Sequence, residues 1–146
     1  MLFRSQAAER WPAAIHNDAE VIEHLTAPVR VTTLDAYADA RLDGRRVGFV
    51  KIDVQGAEAL AIAGARRLLA RDRPVLLMEF WPQGIRGMGG DPWAMIDGLL
   101  GLGYALQVIE REAPGHLRAL PDRAALARID LAHPQAYANL VLVPPG

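Results

Sequence analysis

Apolar positions along this chain switch repeatedly between a strand-like and a helical period. Near the middle, Val47, Phe49, Val50, Ile52 and Val54 form a nearly continuous β-branched and aromatic run. It predicts a strand over Val47–Val54 with both faces covered, as in a parallel sheet. Gly56 supplies the turn. From Ala57 to Arg71 the period becomes helical, because Leu60, Gly64 and Leu68 share a face with Ala61, Ala65 and Leu69. A stripe that narrow can lie close against a sheet. Glu58 in the first turn and Arg66, Arg67 and Arg71 in the last turns complement the helix dipole. Arg73-Pro74 ends the pattern, and Val75–Phe80 reads as a second buried strand. Two strands joined in this way lie parallel with a right-handed crossover.

Upstream, Val29–Thr33 alternates as a short strand, Leu34–Arg41 has helical spacing, and Asp43-Gly44 makes the turn into the central strand. Residues 1–28 form an unassigned segment, in which a helix around Val21, Ile22 and Leu25, capped by Asn17 or Asp18, is the one element suggested. Residues 29–146 read as the α/β domain. Downstream, Trp81–Gly90 holds four glycines and a proline. It reads either as a mobile flap carrying Trp81, Ile85, Arg86 and Met88 over a substrate or as a plain connector. Asp91-Pro92 gives an N-cap and a first-turn proline, predicting a helix to Leu102 that closes at Gly103. Tyr104–Glu110 reads as a third strand. Pro114–His133 is mixed, with a short helix near Arg123–Arg128, and Ala138–Val143 is the last strand. The fold class is α/β, with a parallel-rich sheet of four or five strands.

Composition removes several chemistries. The chain of 146 residues is 51% hydrophobic and 23% charged, the balance of a single globular domain. A net charge of −1 gives no electrostatic case for nucleic acid. No apolar run approaches a membrane span and no signal peptide is visible, so the expected location is cytoplasmic. There is no cysteine, which excludes thiolate chemistry. Ser5 is the only serine, and His16, His24, His116 and His133 never pair at helical metal spacing. A metal site is not suggested. Lys51 is the one lysine. It lies on the strand face of Phe49 and Asp53, and if that strand is central its ammonium needs an acid such as Asp35 or Glu79 beside it. On an edge strand it is simply solvated.

The candidate chemistry lies at strand ends. In open α/β sheets ligands bind beyond the carboxyl ends of strands, where Asp53, Gln55 and the amides from Gly56 onward fall. Asp53 is either a functional acid or a cap on the following helix. Glu79 ends the neighbouring strand and points into the same crevice, unless it pairs with an arginine. Two acids so placed can divide work, one kept ionised and one raised in pKa. Glu58 is a third candidate, with a plain reading as a first-turn acid.

FVKIDVQGAE followed by AIAGARRLL, with TLDAYAD upstream and PVLLMEF downstream, resembles the FkbM-type family of S-adenosylmethionine-dependent methyltransferases. The resemblance covers about Val31 to Phe80, and ANLVLV extends it more weakly. Gln55 stands where many relatives carry Glu. The resemblance implies a Rossmann-like class I methyltransferase sheet whose last strand returns antiparallel. It also implies S-adenosylmethionine as cofactor and a sugar or secondary-metabolite hydroxyl as acceptor. Asp53, Glu58 and Glu79 would be catalytic, and Asp53, Gln55 and Gly56 would bind the cofactor. The family's first strand and glycine-rich loop find no counterpart ahead of Val31, where there is no glycine at all.

Two function classes follow. One is methyl transfer to a hydroxyl oxygen, in which a carboxylate aligns the acceptor and removes its proton. The other is a catalytically silent half-domain, lacking the N-terminal cofactor strands, that acts as a binding module through the open Val47–Val54 edge. That edge implies a second copy or a complementing chain, unless residues 1–33 cover it. A phosphoacceptor receiver fits less well, since the acidic pair after a first strand and the lysine at a later strand end are missing.

Overall fold

The computed structural model describes residues 31–110, 115–129, 131, 133 and 135–145. Those from Thr33 onward belong to one compact unit. Its elements, in chain order, are α1 (Leu34–Arg41), β1 (Phe49–Ile52), α2 (Glu58–Ala63), α3 (Arg66–Asp72), β2 (Val75–Phe80) and α4 (Pro82–Gly87), followed by α5 (Pro92–Gly101), β3 (Ala105–Ile109), β4 (Leu117–Leu120), α6 (Arg123–Ala127) and β5 (Ala138–Val143). The strands form one sheet in the order β1-β2-β5-β3-β4.

β1 and β2 pair in parallel, with Val50 opposite Leu76 and Ile52 opposite Met78. This is the crossover expected from the helix between them. The other pairings, β2 with β5, β5 with β3 and β3 with β4, are all antiparallel, so the sheet is not parallel-rich. β5 enters between β2 and β3 and runs against both, so its insertion converts their neighbourhood to antiparallel ladders. Among the described residues β1 pairs with β2 alone, and no helix is long and apolar enough to cross a membrane.

The core lies on one face. Ile52, Leu76, Met78, Phe80, Leu140, Leu142, Leu106 and Val108 alternate inward along their strands and are buried with Ile96 and Leu99 of α5. Each such apolar side chain removed from water stabilises by roughly 1.5–3 kcal/mol before entropy is counted. The opposite face of β1 departs from the two-sided burial its sequence suggests. Phe49 is 57% exposed.

The helix expected over Ala57–Arg71 is two helices. Asp35 explains the break: its N–H donates to the Gly64 carbonyl (2.9 Å), while its carboxylate accepts from the N–H groups of Arg67 (3.1 Å) and Leu68 (2.9 Å). A side chain of α1 thereby caps α3, whose own N-cap residue, Ala65, offers no side-chain hydrogen bond. Val31–Thr33 is not a strand; Thr33 is instead the N-cap of α1, its hydroxyl accepting from Ala36 N–H at 3.0 Å. Val29 and Arg30, and the helix suggested around Val21, lie outside the described residues. α1, β2, α5 and β5 match their expected spans to within one residue, while β4 was hidden in the mixed Pro114–His133 stretch.

Asp72 ties the end of α3 to the start of β1. Its buried carboxylate takes a two-point grip from Arg71 (2.7 and 2.8 Å) and accepts from Val47 N–H at 3.0 Å. The Arg71 hydrogen bond, outweighing burial, holds the carboxyl down at about 2 from an ordinary 3.8. A carboxyl depressed on folding contributes stability that is complete above its unfolded value and lost as pH falls through its folded one. Asp72→Asn is therefore expected to lower the urea midpoint near neutrality. The gap to the parent should close as the pH is brought toward about 2, and a pH-independent gap would contradict this role.

Candidate functional site

The site is built on the turn that leaves β1. Val54 O accepts from Ala57 N–H (3.2 Å), and the two residues between them, Gln55 and Gly56, have φ of +51° and +100°. Positive φ at both central positions is the type I′ pattern; glycine adopts it readily and glutamine does so at a cost. Two contacts hold the strained turn. Glu58, fully buried, places Oε1 on the N–H groups of Val54 (3.3 Å) and Gly56 (3.2 Å). Its other oxygen, Oε2, is buried without a hydrogen-bond partner. On the other side, Gly56 is pressed against α4, where a Cβ would lie 2.7 Å from the Gly84 carbonyl oxygen.

This conformation aims Gln55 at two acids. Its Nε2 donates to Asp53 Oδ1 (3.1 Å) and to Glu79 Oε2 (2.9 Å). One amide therefore bridges the carboxyl ends of β1 and β2. A Glu in its place would set a third carboxylate against the other two, so the amide suits this arrangement electrostatically. Asp53 also accepts from Lys51 Nζ at 3.0 Å. Lys51 finds its acid two residues along its own strand and is largely exposed, with 61% of its side chain accessible.

The two acids are driven apart in proton affinity. The Lys51 hydrogen bond, joined by that of Gln55, holds the Asp53 carboxyl below the usual aspartate range. Burial first, and then the charge of Asp53, push Glu79 above the usual glutamate range, with the Gln55 bond opposing them. The result is one acid kept ionised beside another that binds its proton more tightly, the division of labour that acid–base chemistry uses.

The structure thus brings Asp53, Gln55 and Glu79 together at the surface and sets Glu58 beneath them as the anchor of the turn. Gly56 serves by close packing. The Trp81–Gly90 stretch is not a flap: Pro82–Gly87 is helix α4, and Ile85 is a fully buried core residue. Only Arg86 and Met88 of the four flap candidates are exposed. The Trp81 ring instead lies over Gly84, where a Cβ would meet Trp81 Cε3 at 2.1 Å. Gly84, the seat for both the ring and the turn, was missed; its signal was a glycine inside a segment opened by Pro82 at a first helical position.

The family model of the methyltransferase FkbM domain matches residues 5–106. The match therefore reaches back into the segment before Val31, which carries no glycine-rich loop, and forward through β2, α4 and α5. No curated protein and no solved structure matches the chain.

Proposed function

Because the chain belongs to the methyltransferase FkbM domain family, we propose that it transfers a methyl group from S-adenosylmethionine to a hydroxyl oxygen of its acceptor, with the chemistry centred on Asp53 and Glu79. The observation that carries this reading is the Asp53–Gln55–Glu79 bridge at adjacent strand ends. Its donor set fits the cofactor, since ionised carboxylates complement a sulfonium cation. Asp53, Gln55 and the Gly56 turn would hold that group. When bound, it supplies an electrophilic methyl.

The chain's own residues then have separate tasks. Asp53, kept ionised by Lys51, orients positive charge and the acceptor hydroxyl. Glu79, the stronger base of the two, takes the hydroxyl proton as the oxygen attacks. Gln55 fixes the spacing of both acids, and Glu58 fixes Gln55. The reacting groups are held in line, which is the main service a protein can offer a displacement at carbon. A sugar or secondary-metabolite hydroxyl is the acceptor class this reading carries.

Calorimetric titration of the folded chain with S-adenosylhomocysteine tests it. Saturable binding is expected, weakened about tenfold by Asp53→Asn through loss of a charge-assisted hydrogen bond. Absence of binding by a folded chain would turn the reading to the second function class, a binding module. That class is favoured by one observation: β1 has a strand partner on one side only among the described residues, and an unpaired edge can take up a second copy or another polypeptide.

A further inference from the structure

Helix α4 has two sides of consequence. Gly84 faces the Gln55–Gly56 turn, whereas Arg86, two residues later, is rotated about 200° around the axis. On that far side lies a cleft of about 490 Å³, lined by Gln83, Arg86, Trp93, Arg128, Ile129 and Leu131 among others, with no acid among its described lining residues. Trp93 is a fixed wall. Its ring meets Phe80 edge-on at 5.5 Å, and the Arg123 guanidinium sits 5.9 Å from its centroid.

The arginines differ in what they have to offer. Arg123 is committed to Asp97 at 3.0 Å. Arg86 and Arg128 are exposed and have no ion-pair partner among the described residues. Asp91 is held by its helix cap, accepting on Oδ1 from the N–H groups of Trp93 (2.9 Å) and Ala94 (3.0 Å), and forms no ion pair with Arg86. Two guanidinium forks without an ion pair among the described residues, and an amide, stand beside an indole and two aliphatic side chains, a set that suits an oxyanion carried on an apolar or ring-shaped body.

We propose that this cleft binds a carboxylate or phosphate group of the acceptor, whose hydroxyl end reaches around α4 to Asp53 and Glu79. The assignment to the acceptor rests on the methyl-transfer reading above. A helix with its side chains is roughly 10–12 Å across, so the acceptor is an extended molecule with its anionic group about that far from the reacting hydroxyl.

The full chain is titrated with phenyl phosphate and with benzoate, and separately with S-adenosylhomocysteine. At least one oxyanion is expected to bind saturably, and the tighter of the two identifies the group. Arg86→Ala combined with Arg128→Ala should weaken that binding at least about tenfold. It should leave S-adenosylhomocysteine affinity and the melting temperature unchanged, because both side chains are exposed and remote from the core. Normal S-adenosylhomocysteine binding with neither oxyanion bound, or a double variant that binds as the parent does, would overturn the proposal. Oxyanion binding with no S-adenosylhomocysteine binding would overturn the acceptor assignment by removing methyl transfer beneath it.

Discussion

Gly56→Ala is expected to destabilise the protein by about 3 kcal/mol or more, a large part of the roughly 5–15 kcal/mol that holds a domain folded. Two independent costs add. A non-glycine residue forced into the left-handed region loses roughly 1–2 kcal/mol, and Gly56 has φ of +100°. The new methyl would then stand 2.7 Å from the oxygen, 2.8 Å from the carbonyl carbon and 3.1 Å from the Cα of Gly84. These are backbone atoms of a helix that carries the buried Ile85, so no side chain can swing aside, and overpacking of this kind costs roughly 1–3 kcal/mol. Gly87→Ala is the control, since it lies in the same helix with nothing within 4 Å of the added Cβ. Removing a helical glycine there should be neutral or stabilising by up to about 1 kcal/mol. Urea denaturation of both variants checks the pair, and equal midpoints would show that the contact between turn and helix is not what holds the site.

The parts of the fold legible in the sequence are those that local physics decides. Val75–Phe80 and Ala138–Val143 are strands over the spans their apolar runs mark, and Asp91-Pro92 opens α5 with the cap its residue types announce, Asp91 accepting from Trp93 and Ala94. What failed to show depends on distant partners. The break at Gly64–Ala65 exists because Asp35, some thirty residues earlier, supplies the missing cap, and helical spacing continues through it undisturbed. α4 was masked by Gly84 and Gly87, which lower helix propensity by about 1 kcal/mol each. One of them is there because Trp81 leaves no room for a side chain. The antiparallel majority of the sheet follows from where β5 inserts, which no local pattern encodes.

The candidate site divides along the same line. Asp53 and Glu79 were legible because strand ends in an α/β sheet are where ligands are met. Lys51 was seen to need an acid if enclosed, but the acid is Asp53 itself, reachable because residues two apart on a strand share a face. The bridging role of Gln55 was not legible. It depends on a positive φ at a non-glycine residue, and that depends in turn on a buried carboxylate four residues after Val54 and on α4 behind Gly56. Glu58 looks in sequence like any first-turn acid; only its complete burial and its grip on two turn amides reveal it as the support on which the two strand-end acids rely.

Within the proposed reaction, Glu79→Gln is expected to lower kcat for methyl transfer about 10²–10⁴-fold, the usual worth of a positioned general base, with KM little changed. The outcome depends on which acid is the better base. Asp53 is held low by Lys51 and Gln55, so it stays ionised but draws protons weakly. Glu79 is raised by burial and by Asp53, so its unprotonated form has the greater pull on a hydroxyl proton. The base must be unprotonated to act, so the parent's rate should fall as pH drops through the raised value of Glu79 and level off above it. The amide that replaces the carboxyl in the variant cannot titrate, and its slower reaction should lack that limb. The substitution leaves an amide oxygen that can still accept from Gln55 Nε2, so the bridge and the fold are expected to survive and S-adenosylhomocysteine affinity to change little. A Glu79→Gln enzyme that kept the parent's rate and the same acidic limb would move the proton-accepting role to Asp53, and the depressed carboxyl would then have to act as a base against its own environment.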